Sequence, residues 1–398
     1  MPGSGVIVVV GGGQAGGWAA RTLRQEGFAG RVVVLSDEDH PPYERPPLSK
    51  QVLLGEAPPE STYLFPPKAY ADWGIDLRLG VRATALDPRA RHLLLADGAS
   101  LPYDRLLLAT GASPRRLLHV SGVNVSYLRS IADAAAIRPR LRPDARVLII
   151  GGGWIGLEVA AAARKNGASV VLVEAGARLC SRAAPEDLSD LLLDLHRANG
   201  VDVRLQTQVV AVEGNGKVER VQLSNGDILA ISCVIVGIGV DPAIQLAENA
   251  GLSVENGIAI DSRMQTSAAD VFAAGDAASY PAPGGPRKRL ESWDNAQKQG
   301  IAAGKAMLGR DIKLDRYPWF WSDQFNTNVQ LIGDFAHYEE KVQLPERAPG
   351  SRITLYLRNG AVEGVAAINA GREMRLIKRS LESGQPVPGQ PVPASART

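Results

Sequence analysis

The chain has 398 residues, 44 Lys and Arg against 42 Asp and Glu, and a formal net charge of +2. That near-balance, without a dense basic run interleaved with aromatics, argues against nucleic acid or a membrane surface as its partner. No apolar stretch reaches the about 20 residues needed to cross a bilayer, and Met1-Pro2-Gly3-Ser4-Gly5 meets the first strand too soon for a signal peptide, so a cytoplasmic protein of two or three domains is expected. The two cysteines, Cys180 and Cys233, form no C-x-x-C pair, and His40, His92, His119, His196 and His337 lie scattered, so neither a metal site nor an iron–sulfur cluster is expected.

The first predicted element is a buried parallel strand at Val6–Val10, short, branched and continuously apolar. Gly11-Gly12-Gly13-Gln14-Ala15-Gly16 follows it and opens a helix that runs to about Glu26 and ends at Gly27. In such a G-x-G-x-x-G turn, here Gly11, Gly13 and Gly16, the glycines permit the tight turn, the approach of backbone to a pyrophosphate and close helix–strand packing. The helix N-terminus then supplies free N–H groups and a favourable dipole to the phosphate. A second strand at Arg31–Leu35 leads into Asp37, about twenty residues past the glycines and placed for a ribose hydroxyl. An apolar strand from Leu106 to Leu108 then runs into the small-residue turn Ala109-Thr110-Gly111-Ala112.

The whole pattern recurs. A strand over 147–150 enters Gly151-Gly152-Gly153-Trp154-Ile155-Gly156, whose helix runs to Asn166 and ends at Gly167, and the strand Ser169–Val173 leads into Glu174. One glycine motif is a weak signal, since glycine turns without a ligand are common; two in full strand–turn–helix–strand–acid context predict two dinucleotide sites. The second repeat closes with Val234-Ile235-Val236-Gly237-Ile238-Gly239, and residues 270–276 form another apolar strand ending in Gly275-Asp276, beyond the carboxyl end of a doubly wound sheet. The simplest organisation is a discontinuous first domain, 1–112 and 241–313, interrupted by a second at 113–240. From 314 the pattern changes to antiparallel strands over 329–332, 353–357 and Ala361–Ile368, with Asn359-Gly360 as a hairpin turn and a helix over 372–382, forming a smaller α+β domain. The proline-containing tail after Gly384 reads as a loosely held terminus.

Set beside Tyr43-Glu44-Arg45-Pro46-Pro47-Leu48-Ser49-Lys50, Gly156-Leu157-Glu158, the segment 271–276, Glu291-Ser292-Trp293-Asp294-Asn295-Ala296 and Pro318-Trp319-Phe320-Trp321-Ser322-Asp323-Gln324, these features give a resemblance covering nearly the whole chain. The chain resembles the FAD-dependent, NADH-utilising ferredoxin reductases of bacterial Rieske-type aromatic-ring dioxygenase and cytochrome P450 systems, the phenylpropionate dioxygenase type above all. The Pro-Pro-Leu-Ser-Lys and Trp-Phe-Trp-Ser-Asp-Gln segments carry most of its specificity. It implies an α/β chain of glutathione-reductase-like architecture, with two Rossmann-like dinucleotide-binding domains and a C-terminal α+β domain. It assigns FAD to the first fingerprint and NADH to the second. By motif position it implies FAD contacts from Gly11, Gly13, Ala15, Gly16, Asp37, Lys50, Ala83, Arg129, Asp276, Trp293 and Trp321. For NADH it implies Gly151, Gly153, Ile155, Gly156, Glu174, Arg182 and Gly239.

Lys50, on a loop stiffened by two prolines, reads through this resemblance as an ammonium beside the flavin, paired with Glu158; from spacing alone both residues would be solvated. Glu174 favours the free ribose hydroxyl of NADH over the phosphate of NADPH, an effect that Arg178 and Arg182 could partly offset unless they are surface charges. Trp319, Phe320 and Trp321 are candidates for both domain core and flavin-side aromatics, and which tryptophan faces the flavin is open. Arg372, Arg375, Lys378 and Arg379 are a docking face for an acidic ferredoxin or an ordinary solvated helix face. The partner implied is a [2Fe–2S] ferredoxin, of Rieske or plant/putidaredoxin type, served by a monomer or weak dimer. Two alternatives differ in chemistry. A flavoprotein disulfide or peroxide reductase needs a redox cysteine early in the first domain, and residues 37–60 contain none. An interaction protein related to apoptosis-inducing factor would bind nucleic acid through a basic surface, against which the modest net charge argues.

Overall fold

The computed structural model describes residues 4–281, 285–314 and 317–390. Residue contacts divide the chain into two compact units, one of Met1–Arg45, Pro59–Ser113 and Val240–Asp315, the other of Pro46–Pro58, Pro114–Gly239 and Arg316–Thr398.

In the first unit, five parallel strands lie in the order Val271–Ala273, Arg105–Leu108, Val6–Val10, Arg31–Leu35, Ile75–Arg78. The central strand is covered on both faces, which explains its unbroken valine and isoleucine content. The first fingerprint helix spans Gln14–Gln25, and Gly27 adopts φ +83° just beyond its cap. A second helix, Trp293–Ala306, packs on it through glycines. A Cβ on Gly300 would stand 2.3 Å from the Ala15 carbonyl oxygen, and one on Gly304 would stand 3.0 Å from that of Ala19. Three short antiparallel strands, Ala83–Asp87, His92–Leu95 and Ser100–Pro102, were not among the expected elements.

The second unit repeats the parallel sheet in the order Val201–Arg204, Ser169–Val173, Arg146–Ile150, Cys233–Val236, Val125–Tyr127. It also holds a five-stranded antiparallel sheet ordered Trp319–Gln324, Thr327–Gly333, Ala361–Ile368, Arg352–Arg358, Glu340–Gln343. The hairpin at Asn359-Gly360 has positive φ at both residues, as a tight two-residue turn requires. The helix Gly371–Ser383 buries Met374, Ile377 and Leu381 in a core shared with this sheet. The two sheets are one packing problem: Leu157 and Val159 of the second fingerprint helix fall in the same core as Val329, Leu331, Tyr356 and Ile368. The helix Glu186–Ala198 is tied to the antiparallel sheet by polar links, His196 Nε2 to Gln324 Oε1 at 2.8 Å and the Tyr356 hydroxyl donating to Asp187 at 3.0 Å.

The expectation of a loose tail is corrected for residues 385–390. Val387 is buried against Leu344 and the helix, and Gln390 Nε2 donates to the Gly360 carbonyl at 2.9 Å, so apolar burial and one hydrogen bond hold this stretch down. Residues 391–398 lie outside the described residues.

Two stability predictions follow from this packing. Gly300→Ala gains helix propensity, worth about 1 kcal/mol, but meets backbone that cannot yield. Urea denaturation is therefore expected to show a net loss of about 1–3 kcal/mol, whereas Gly285→Ala, which meets nothing within 4 Å, changes little. Burial pushes His196 down from 6.5 to about 4, outweighing the opposite pull of its bond to Gln324. Because its folded value lies below its unfolded one, the unfolded chain takes up the proton first, and stability is lost as pH falls from about 6.5 towards 4. The share owed to His196 between pH 7 and pH 5 is about 2 kcal/mol, and denaturation curves of His196→Gln should lack it.

Candidate functional site

Both fingerprints are built for an anion. Each helix is capped by a glycine with extended backbone, Gly13 or Gly153, with no side-chain hydrogen bond to the cap and no acid in the first turn. The first-turn N–H groups thus have no competing carboxylate. A Cβ on Gly13 would meet nothing within 4 Å, and one on Gly153 only the Gly237 carbonyl at 3.9 Å, so both cap positions open on space. The neighbouring glycines are closed instead. A Cβ on Gly11 or Gly151 would stand 2.1 or 2.4 Å from a carbonyl of the adjoining strand end, and on Gly16 or Gly156 2.0 Å from the first glycine's own carbonyl. In the first fingerprint both amide atoms of Gln14 are buried without a hydrogen-bond partner. The residues present therefore fit a dinucleotide at each site.

The acids after the two fingerprints are not equivalent. Val10 pairs with Leu35 and Ile150 with Val173, so the next positions are Ser36 and Glu174, while Asp37 comes one residue later. Glu174 accepts hydrogen bonds from the Gly152 and Gly176 N–H groups, at 2.7 and 2.6 Å, which fixes its carboxylate beside the fingerprint. Asp37 is exposed and pairs with Arg82 at 3.4 Å. Arg178 spends its guanidinium on Ala184, Ser189 and Ser181, a structural role, while the Arg182 guanidinium lies beside Gly239 with its φ of +107°. Ile155 is exposed next to the open Gly153, an apolar surface at the mouth of the second fingerprint.

Among the residues the resemblance assigns to FAD, Ala15, Asp37, Ala83, Asp276 and Trp293 lie in the first unit and Lys50, Arg129 and Trp321 in the second. Asp276 sits in the single turn Gly275–Ala277 after the edge strand, and Gly275 N–H donates to Gln299 of the helix that Trp293 begins. The same unit holds a cluster that sequence reading missed: the Glu38 carboxylate receives the Tyr43 hydroxyl at 2.6 Å and the Arg45 guanidinium at 2.8 Å. Against the upward push of burial, Arg45 and Tyr43 hold Glu38 below the usual carboxylate range. Arg129 precedes the capping box of Ser130 and Asp133, and its N–H donates to Asp133 at 3.0 Å. Ala83 begins the strand Ala83–Asp87.

Lys50 is buried in the second unit, at the end of a proline-stiffened single turn, Pro46–Ser49. Its ammonium meets Glu158 Oε1 at 2.8 Å and donates to the Pro46 carbonyl at 3.2 Å, which leaves one of its three donors for a ligand. Glu158, 3% exposed on the fingerprint helix, also accepts from Ser322 Oγ at 2.6 Å on the same oxygen and from Ser49 Oγ on the other. Ser322 in turn receives Gln324 Nε2 at 3.0 Å. Sequence reading found Lys50 and Glu158 but not Ser49, Ser322, Gln324 or His196. The usable signal was Ser322 and Gln324 at i and i+2 in an aromatic strand, two polar side chains on one face. The other face carries Trp319 and Trp321, stacked at 4.7 Å and 16°, while Phe320 turns to Trp154 at 4.9 Å. Trp319 donates to Gln330, and Lys378 lies over its ring at 5.7 Å, so Lys378 points at an indole while Arg372, Arg375 and Arg379 are exposed. Both thiols are buried. Burial pushes Cys233 up to about 11 and Cys180 further, which suits neither to redox work.

Comparison with known proteins agrees with this geometry. Residues 5–300 match the pyridine nucleotide-disulphide oxidoreductase family and residues 319–393 the reductase C-terminal family. The chain is 40% identical, over 94% of its length and 95% of the relative's, to the 3-phenylpropionate/cinnamic acid dioxygenase ferredoxin–NAD(+) reductase component of Photorhabdus laumondii. It is 38% identical, over 94% and 92%, to the ferredoxin–NAD(+) reductase component of the p-cumate 2,3-dioxygenase system of Pseudomonas putida. Among solved structures it matches the covalent putidaredoxin reductase–putidaredoxin complex with a TM-score of 0.91 at 37% identity, covering 95% of this chain and 93% of that one. Two glycine-capped helices, a C-terminal sheet sharing the core of the second of them and these relatives agree: the chain belongs to the pyridine nucleotide-disulphide oxidoreductase family, among its ferredoxin reductases.

Proposed function

We propose that this protein is the reductase component of a multicomponent oxygenase, taking electrons from NADH through bound FAD to a [2Fe–2S] ferredoxin. The observation that carries it is the buried Lys50–Glu158 pair at the start of the second fingerprint helix, in a chain whose only two thiols are both sealed off. When bound, FAD supplies the redox chemistry, accepting two electrons from NADH and releasing them singly. The chain's own residues bind, orient and set the field. The first fingerprint, with Gly11, Gly13, Ala15 and Gly16, holds the FAD pyrophosphate. Asp37, Ala83, Arg129, Asp276, Trp293 and Trp321 complete its contacts. Lys50 directs its remaining donor to the ring and favours the electron-rich form through its charge. The second fingerprint, with Gly151, Gly153, Ile155 and Gly156, takes NADH, assisted by Arg182 and Gly239. Glu174 presents a fixed carboxylate to the ribose hydroxyl and repels the extra phosphate of NADPH.

On this reading residues 1–112 and 241–313 are the FAD-binding domain, 113–240 the NADH-binding domain and 314–398 the C-terminal domain. The protein works as a monomer or weak dimer, and the exposed Arg372, Arg375 and Arg379 on the last helix meet an acidic ferredoxin. Purified protein should be yellow, bleach on addition of NADH and reduce cytochrome c much faster once ferredoxin is supplied. Bleaching that no ferredoxin from a broad panel accelerates would overturn the assignment. Reversing Arg372, Arg375 and Arg379 to Glu should slow ferredoxin reduction about tenfold or more at low salt, with the difference shrinking as salt rises. Reduction of a small dye should stay unchanged; equal loss in both assays, or in neither, rules out docking there.

A further inference from the structure

We propose that Ser322, Gln324 and His196 form a one-way chain of hydrogen bonds that holds the Glu158 carboxylate, and through it the Lys50 ammonium, in a single orientation. They are positioning residues for the electron transfer that Lys50 serves, and the inference rests on the reading of Lys50 as the cation beside the flavin.

The direction of the chain follows from its atoms. Gln324 Nε2 donates to Ser322 Oγ, so its Oε1 faces His196 as the acceptor, at 2.8 Å. His196 must therefore carry its proton on Nε2, and its buried Nδ1 has no partner. Ser322, already receiving a donor, gives its own proton to Glu158 Oε1 at 2.6 Å. Three neutral groups thus aim their dipoles at one carboxylate, each bond polarising the next, and Ser49 holds the other oxygen from the opposite side. A carboxylate so held has one orientation, and the Lys50 ammonium, anchored between Glu158 and the Pro46 carbonyl, inherits it.

A core serving only to pack would not look like this. His196, Ser322 and Gln324 are each 0% exposed, in positions where apolar side chains of similar volume would do as well. The chain also leaves an imidazole nitrogen unsatisfied, a cost that packing alone gives no reason to retain. The three residues come from a helix and a strand distant in sequence, and they converge on the one buried ion pair of the fingerprint helix.

The test combines substitutions along the chain of hydrogen bonds with a spectroscopic measurement on His196. Ser322→Ala removes the donor to Glu158. Gln324→Glu keeps the shape but removes the donors to Ser322 and offers its proton a competing carboxylate. In FAD-loaded protein each should lower the midpoint potential and slow flavin reduction by NADH about tenfold, the worth of one hydrogen bond to a charged group, with NADH affinity unchanged. Both effects should vanish in a Glu158→Gln background, where there is no charge to orient. Nitrogen-15 histidine spectra of the unmodified chain should show His196 protonated on Nε2, with that proton's resonance moving upfield in Glu158→Gln. Folded variants with an unmoved potential, effects that persist in Glu158→Gln, an Nδ1-protonated His196 or an unmoved resonance each overturn the proposal, and the spectra decide it if the variants do not fold. Lys50→Met separates the two readings: an unchanged potential in that variant sinks the flavin-side role of Lys50, while the His196 resonance still reports on the chain.

Discussion

The Lys50–Glu158 ion pair is the constraint on which the second unit turns. Two opposite charges taken out of water recover their hydration only if geometry and further hydrogen bonds are good. That requirement explains why Glu158 sits one turn into a glycine-capped helix, why a hydroxyl meets each of its oxygens, and why Pro46 turns its carbonyl towards the ammonium. It also explains an oddity of the antiparallel sheet, a strand that opens with three aromatics and ends with Ser322 and Gln324 buried completely. One face of that strand must satisfy the ion pair, and the other carries the stacked indoles.

The same constraint accounts for where the Pro46–Pro58 segment belongs. In sequence it lies inside the first dinucleotide repeat, yet its contacts are with the second unit, where Leu53 joins the core around Leu157. The two prolines remove backbone freedom and donors just before Lys50, so the turn is shaped before it packs. A lysine carried on a flexible loop would lose more entropy on burial than one delivered by a stiff turn.

Much of this architecture was legible in the residues, because its signals are local. The strands at Val6–Val10, Arg31–Leu35 and Ser169–Val173 show in runs of branched residues, and the helix ends show at Gly27 and Gly167, where positive φ favours glycine. The long-range features were not legible. The short antiparallel strands alternate weakly because much of each faces solvent, as in Ala83–Asp87, where only Leu86 is buried. The partners of Glu158 were hidden because Ser49, His196, Ser322 and Gln324 are distant in sequence and individually ordinary. Val387 in the tail looked unremarkable among prolines and glycines, although a single buried valine and one amide hold it.

The two fingerprints, alike as motifs, differ at the residue that matters for exchange of ligand. In the second, the residue directly after the strand is Glu174, already held by two backbone N–H groups, so on the proposed assignment a nucleotide would meet a rigid acceptor with little ordering left to do. In the first, that place belongs to Ser36, whose side chain crowds Gly12, and the acid is displaced one residue outward to Asp37. A site whose acceptor is preorganised discriminates among visitors by charge at the moment of contact. A site with an exposed acid instead gains its hold from the many other groups a large resident cofactor touches. On the assignment proposed above, that difference of one residue in the place of the acid separates a gate for NADH from a berth for FAD, on two sheets of the same parallel construction.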